Sequence, residues 1–150
     1  MEQPIITDAQ PCISNGDLEI LVVDDDRIIT LLHKGILRHN SNNKKIEVFE
    51  NGGTAMKYLL RNRGSGKNFL VLLDLNMPIM DGWQFLERLQ QCSIPNVHVA
   101  VVTSSILDED QKKAFGYQKV VGYQQKPLTK GKFQSITAHE KVRTFFMNQA

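Results

Sequence analysis

The sequence predicts an α/β domain built on a doubly wound parallel sheet. Two observations lead there. Mainly apolar stretches of strand length alternate with stretches whose apolar residues recur at helical spacing. The strand-like stretches also end in polar functional groups, which a parallel sheet would gather on the edge where such sheets bind ligands. The clearest case is Phe69-Leu70-Val71-Leu72-Leu73, which ends abruptly in Asp74. A run apolar on both faces suits a strand covered by helices on each side.

Residues 1–17 mix Pro4, Pro11, Ser14, Asn15 and Gly16 with scattered polar residues and read as a flexible leader. Leu18 to Val23 form a first strand that ends in Asp24-Asp25-Asp26. Asp26 is placed to cap the following helix, whose Ile28, Ile29, Leu31, Leu32, Ile36 and Leu37 predict a broad buried face. After a polar loop from His39 to Lys45, Ile46 to Phe49 is a short strand. Asn51-Gly52-Gly53 breaks the chain before a helix carrying Ala55, Met56, Leu59 and Leu60. Arg61 to Asn68 then loops into the central strand.

Beyond Asp74, Pro78 keeps Met77 from helical geometry, so the chain leaves the sheet through a loop. Asp81 and Gln84 have capping-box spacing ahead of a helix bearing Trp83, Phe85, Leu86 and Leu89. Val97 to Val102 is a β-branched strand ending in Thr103-Ser104-Ser105. Asp108 and Gln111 repeat the capping spacing, for a short helix burying Leu107, Ala114 and Phe115. Val120 to Gln125 is the least marked strand and ends in Lys126-Pro127. From Leu128 onward, Phe133, Ile136, Val142, Phe145 and Phe146 predict a last helix.

Length and composition narrow the function classes. A chain of 150 residues is one domain with room for a core. A formal net charge of +2 is too small to argue for nucleic acid or an anionic membrane. Cys12 and Cys92 cannot supply a four-ligand zinc site and do not read as a disulfide framework. No basic segment followed by a long apolar one opens the chain, and no run is long enough to span a membrane. The expectation is a cytoplasmic, reduced protein.

The chemistry lies in Asp24, Asp25, Asp74, Thr103 and Lys126, each following an apolar strand. Two carboxylates about 4 Å apart at an effective dielectric near 20 repel by roughly 4 kcal/mol. A cluster of three therefore calls for a cation. Such oxygen ligands suit Mg²⁺, which takes one or two protein carboxylates and completes its shell with water and phosphate oxygens. With a divalent ion and Lys126 balancing the three acids, a phosphoryl group could approach where bare acids would repel it. One carboxylate could then attack phosphorus. Metal and lysine would stabilise the transferring oxygens, and Thr103 would offer them a hydroxyl.

Val22-Val23-Asp24-Asp25-Asp26, Leu73-Asp74-Leu75-Asn76-Met77-Pro78-Ile79-Met80-Asp81-Gly82, Val102-Thr103-Ser104 and Lys126-Pro127 together resemble the signature of bacterial response-regulator receiver domains. The match runs in order over about Leu18 to Phe146, nearly the whole chain. The resemblance implies a flavodoxin-like (βα)5 fold with five parallel strands ordered 2-1-3-4-5 and helices on both faces. It places the receiver domain over residues 18–150. It implies that Asp74 is the phosphoacceptor, that Asp25 binds Mg²⁺ directly, and that Asp24 acts mainly through water. The backbone carbonyl of Asn76 would complete the metal shell. Thr103 and Lys126 would bind phosphoryl oxygens, and Tyr123 would be an aromatic switch turning inward as the threonine is drawn to the phosphate. The donor implied is a phosphohistidine on a sensor histidine kinase or histidine phosphotransfer protein. The output would be a changed face on the last two helices and strands, read by a downstream protein that the sequence does not name. Such a domain promotes its own phosphoryl transfer and dephosphorylation without being a turnover enzyme.

Two features depart from the family pattern. The common Gly-Ala pair before the last strand is replaced within Phe115-Gly116-Tyr117-Gln118-Lys119-Val120-Val121. The chain also ends at Ala150, without a DNA-binding output domain, so the expectation is a stand-alone receiver. Its oligomeric state is left open by the sequence.

Plainer roles compete at several positions. Asp26 reads as a helix cap, Asp81 and Gly82 as turn and cap, and His98 as structural. Tyr123 could equally be core filler, and Lys130, Lys132, Lys141 and Arg143 a solvated helix face. The rival enzyme class is the haloacid-dehalogenase-like phosphatases, which also use an aspartate nucleophile and Mg²⁺. Those enzymes want a second acid two residues past the nucleophile, and this chain has Asn76 there. A nucleotide-binding dehydrogenase is disfavoured because no Gly-x-Gly-x-x-Gly follows the first strand. A docking module that is never phosphorylated is the third class, against which the full set of acids, threonine and lysine argues.

Overall fold

The computed structural model describes residues 17–147. The leader expected over residues 1–17 lies outside them except for Asp17, whose carbonyl accepts the Asn68 N–H at 3.1 Å. The elements run β1 (Leu18–Val23), α1 (Arg27–Asn40), β2 (Lys45–Phe49), α2 (Gly52–Arg61), β3 (Asn68–Leu73), α3 (Gly82–Gln91), β4 (Val97–Thr103), α4 (Asp108–Phe115), β5 (Val120–Gln125) and α5 (Lys130–Thr137). All four strand pairings are parallel and the order is β2-β1-β3-β4-β5, as the resemblance implies.

The sheet divides the core in two, because successive side chains of a strand point to opposite faces. Leu21, Val23, Phe69, Val71, Leu73, Val99 and Val101 face α2, α3 and α4. Ile20, Val22, Leu70, Leu72, Ala100 and Val102 face α1, α5 and the segment holding Val142 and Phe145. β1 and β3 are buried at every position, which is why they read as apolar runs, unbroken from Phe69 to Leu73 and interrupted in β1 by Glu19. Edge strand β2 is only partly covered. One register shift, between Val99 and Ala100, lets Val121 bulge, after which Tyr123 lies beside Val101 and Gln125 beside Thr103.

Helix starts follow local chemistry. The Asp26 carboxylate accepts the N–H groups of Ile28 and Ile29 and caps α1. Asp81 and Gln84 form the expected capping box. α4 is a correction. It begins at Asp108 after Leu107, with no side-chain cap, so Asp108 and Gln111 are not a capping pair. Ser105 organises that turn instead: its hydroxyl donates to Asp110 at 2.6 Å and accepts the Leu107 N–H at 3.2 Å. Leu107 and Phe115 are exposed, and only Ala114 is buried. An eight-residue helix with Asp108, Glu109 and Asp110 at its start gains more from its dipole than from burial.

α1 also departs from expectation. Ile28, Leu31 and Leu32 are 72%, 71% and 54% exposed, while Thr30, His33 and Leu37 are buried. Their spacing of three and four residues is one face of a helix, so the face against the sheet is not the face richest in large apolar residues. The last helix is shorter than expected. α5 ends at Thr137, and after a turn a single 3₁₀ turn spans Arg143–Phe145. Val142 and Phe145 are buried there without belonging to α5, so Lys141 and Arg143 do not share a helix face with Lys130 and Lys132.

Candidate functional site

Backbone pairing assembles the site before any side chain contributes. The Asp74 N–H donates to the Val23 carbonyl at 2.9 Å, setting the end of β3 beside the end of β1. The Lys126 N–H donates to the Thr103 carbonyl at 2.8 Å, doing the same for β5 and β4. One carboxylate oxygen each from Asp24, Asp25 and Asp74 lies within 4.8 Å of the others. Lys126 reaches over the sheet edge, with Nζ 2.7 Å from Asp24 Oδ2 and 3.3 Å from Asp74 Oδ2. Four segments distant in sequence therefore meet at one rim.

Burial differs among the acids. Asp24 and Asp74 are buried, at 3% and 4% exposure, whereas Asp25 is exposed at the mouth. Burial raises the Asp74 carboxyl above the ordinary range and the nearby Asp24 adds to the effect. Lys126 and the Asn76 N–H, 3.4 Å from Asp74 Oδ1, pull it back only in part. Burial pushes the Lys126 ammonium down, but its ion pairs with Asp24 and Asp74 prevail and the net shift is upward. Three carboxylates against one ammonium leave an excess of two negative charges when all are ionised. The donor set is all oxygen and clustered at a rim reached by solvent, which fits a small hard divalent cation such as Mg²⁺.

The loop after Asp74 is drawn tight beneath the site. The Gly82 N–H donates to the Leu75 carbonyl at 2.9 Å, and a Cβ on Gly82 would stand 2.5 Å from the Asp74 carbonyl oxygen. No other residue fits there without moving Asp74. Ile79 projects from this loop, 83% exposed, with a left-handed φ of 70° that is strained for a β-branched side chain. The Lys126–Pro127 peptide on the other side of the rim is cis.

Thr103 is fully buried, its Oγ1 accepting the Ser105 N–H at 3.2 Å. Tyr123 packs against the α2–α4 side of the core, and its buried hydroxyl has the Ser105 side chain as a polar neighbour. Burial raises the Tyr123 pKa. Every residue singled out from the sequence thus lies at or beneath this edge, with Asn76 exposed beside Asp74 and Tyr123 two positions inside the end of β5. Sequence reading passed over His33 and Ser105, which touch the loops carrying Lys126 and Thr103. The signal for His33 was its spacing from Thr30 and Leu37, visible only once the inward face of α1 is known.

Fold and site together define a flavodoxin-like α/β domain with an acid-lined sheet edge bridged by one lysine. The response regulator receiver domain family matches residues 20–138. Two-component response regulator 24 of Arabidopsis thaliana is 33% identical over 137 residues, spanning 91% of this chain and 93% of that protein. Hybrid signal transduction histidine kinase L of Dictyostelium discoideum is 32% identical over 103 residues, 65% of this chain but 6% of that much longer protein. A two-component response regulator from Cytophaga hutchinsonii superposes with a TM-score of 0.76 at 27% identity, covering 85% of this chain and 97% of the other. The chain belongs to the response regulator receiver domain family. Phosphoryl acceptance and dependence on Mg²⁺ are general properties of that family. Among the described residues, no helix is long and apolar enough to cross a membrane.

Proposed function

We propose that this chain is a phosphoryl-controlled signalling module that accepts a phosphoryl group on Asp74. The carrying observation is the meeting of Asp24, Asp25 and Asp74 with Lys126 at one sheet edge. The donor is a phosphohistidine on a sensor histidine kinase or a histidine phosphotransfer protein. A carboxylate oxygen of Asp74 attacks phosphorus while the phosphorus–nitrogen bond breaks, leaving the electron pair on the donor imidazole and an acyl phosphate on Asp74. Asp25, Asp74 and the backbone carbonyl of Asn76 would hold Mg²⁺, with Asp24 close enough to act on the ion's surroundings. The ion when bound neutralises charge on the phosphoryl oxygens.

Lys126 already lies 3.3 Å from the nucleophile, so its ammonium passes to the incoming oxygens by a short shift away from Asp24. Thr103 exchanges its contact with the Ser105 N–H for a hydrogen bond to the phosphoryl group. Tyr123 follows: its hydroxyl is covered already and lies by Ser105, so the switch works by changing what that hydroxyl touches rather than by burying it. The rearranged α4, β5 and α5 present the face that a downstream protein reads.

Intact mass with Mg²⁺ and a small phosphodonor is the test. Wild type is expected to gain the mass of one phosphoryl group, and Asp74→Asn none. An unchanged wild-type mass under saturating donor would refute the proposal. Turnover of generic phosphate esters would instead favour the phosphatase reading.

A further inference from the structure

The segment carrying Lys126 is held on three sides. Its own N–H is bound by the Thr103 carbonyl at the end of β4. The Lys132 ammonium of α5 donates to the carbonyls of Gln125 at 2.7 Å and Pro127 at 3.3 Å, so this lysine is more than part of a solvated helix face. The third hold comes from across the sheet edge: the Leu128 N–H donates to Nε2 of His33 on α1, at 3.0 Å. His33 is 2% exposed and Leu128 3%. Neither group has water to turn to if this bond is lost.

The bond closes a ring of contacts around the ion pair. Asp24 sits at the end of β1, and its Oδ1 accepts the Asp26 N–H at 2.9 Å. Asp26 in turn caps α1, and two turns along that helix His33 grips Leu128, two residues past Lys126. The Lys126 ammonium then meets Asp24 at 2.7 Å. The separation between the acid-bearing and lysine-bearing strand ends is therefore fixed twice, by the sheet pairings and by this helix-borne bond.

We infer that His33 is a positioning residue, which through the Leu128 N–H holds Lys126 where its ammonium reaches both Asp24 and Asp74. The role requires a neutral imidazole with its proton on Nδ1, since only an unprotonated Nε2 can accept. The surroundings agree. Burial lowers the imidazole pKa and Lys126 lowers it further, against an opposing pull from Asp24. A leucine would fill similar space without the acceptor. A glutamine can place its Oε1 near the position of Nε2.

The experiment compares wild type, His33→Leu and His33→Gln in the full chain, using acetyl phosphate with Mg²⁺ as the phosphodonor. His33→Leu is expected to slow phosphorylation of Asp74 by roughly tenfold or more, the cost of a displaced charge at a reacting group. His33→Gln should restore most of the rate. The ¹⁵Nζ resonance of Lys126 should shift in His33→Leu and return in His33→Gln. A wild-type rate and an unmoved Lys126 signal in His33→Leu would overturn the inference, as would a glutamine variant as slow as the leucine one. If His33→Leu does not fold, wild type alone decides: a coupling across the hydrogen bond from the Leu128 nitrogen to Nε2 supports the assignment, and its absence sinks it. The inference rests on the proposed phosphoryl chemistry only for the rate. If wild type takes no phosphate from any donor, that proposal fails, while the Lys126 signal still decides the role of His33.

Discussion

The two ends of strand β1 each bury a carboxylate, and they treat it in opposite ways. Glu19, near the amino end, is 5% exposed and accepts a hydrogen bond from the Tyr58 hydroxyl. Lys67 stands 2.8 Å from it and Lys45 4.0 Å. Burial raises the Glu19 pKa, but Lys67, Tyr58 and Lys45 together outweigh burial and the net shift is downward. Asp24, one residue past the other end of the strand, shares a single lysine with Asp74 while Asp25 sits close by. There burial and the neighbouring acid win, and Asp74 moves upward. Glu19, with Lys67 beside it and Lys45 shared with Glu47 at 3.4 Å, sits in a balanced cluster and is held closed. An excess of acid over ammonium leaves unmet charge, and unmet charge at a rim is what draws a cation and a reacting anion. Burial alone does not mark the functional end; the local charge balance does.

If that contrast is right, neutralising one acid at each end changes stability with opposite sign. Glu19→Gln should be the larger effect, a loss of about 2–3 kcal/mol, reduced from the full cost of breaking a buried pair because Lys67 can partly turn to water. Melting should fall by roughly 4–12 °C. Because the Glu19 pKa is lowered in the folded state, its contribution is present above the unfolded carboxylate pKa and is lost as pH falls through the folded value. The gap between wild type and Glu19→Gln therefore closes in acid. Phosphorylation of Asp74 should be untouched, and a variant that folds but fails to be phosphorylated would break the separation of the two ends.

Asp74→Asn should act the other way. The folded pKa of Asp74 is raised, so the group favours the folded state below its unfolded pKa and loses that contribution as pH rises through the folded value. At neutral pH without Mg²⁺, removing the charge should raise the melting temperature by roughly 2–6 °C. The gain should vanish as pH drops below the ordinary aspartate pKa, and shrink when Mg²⁺ supplies the missing positive charge. Melting curves across pH, with and without the ion, measure this. A destabilised Asp74→Asn at neutral pH would mean that Lys126 already balances the site.

How much of this contrast could be read from the chain depends on how local its signals are. β1 and β3 were legible because burial on both faces leaves a largely apolar run, and Asp24 and Asp74 because each ends one. The Asp81–Gln84 cap was legible because its two partners are three residues apart. Glu19 carries no local signal of its burial, since Tyr58, Lys67 and Lys45 reach it from three other places in the chain. The buried face of α1 was misread because Ile28, Leu31 and Leu32 dominate any count of apolar side chains, while the sheet takes Thr30, His33 and Leu37. The false cap at Asp108 had the right residue types. Ser105, upstream, held the turn instead, through contacts that spacing does not reveal.

Asp25 offers the smallest effect and the sharpest reading of the carboxyl edge, because it is exposed and contributes charge without burial. Without metal, Asp25→Ala should change stability by no more than about 0.5 kcal/mol, as for other surface substitutions. At Mg²⁺ about tenfold above its dissociation constant, wild type should gain roughly 1.4 kcal/mol from binding that favours the folded state. Asp25→Ala should lose most of that gain, whereas Glu19→Gln, weakened as it is, should keep all of it. Melting with and without Mg²⁺ on the three proteins separates a cation held by this particular acid cluster from a general response to ionic strength, which screens both ends of β1 alike. Equal shifts in wild type and Asp25→Ala would place the ion elsewhere, and the charge excess at this edge would then need another partner.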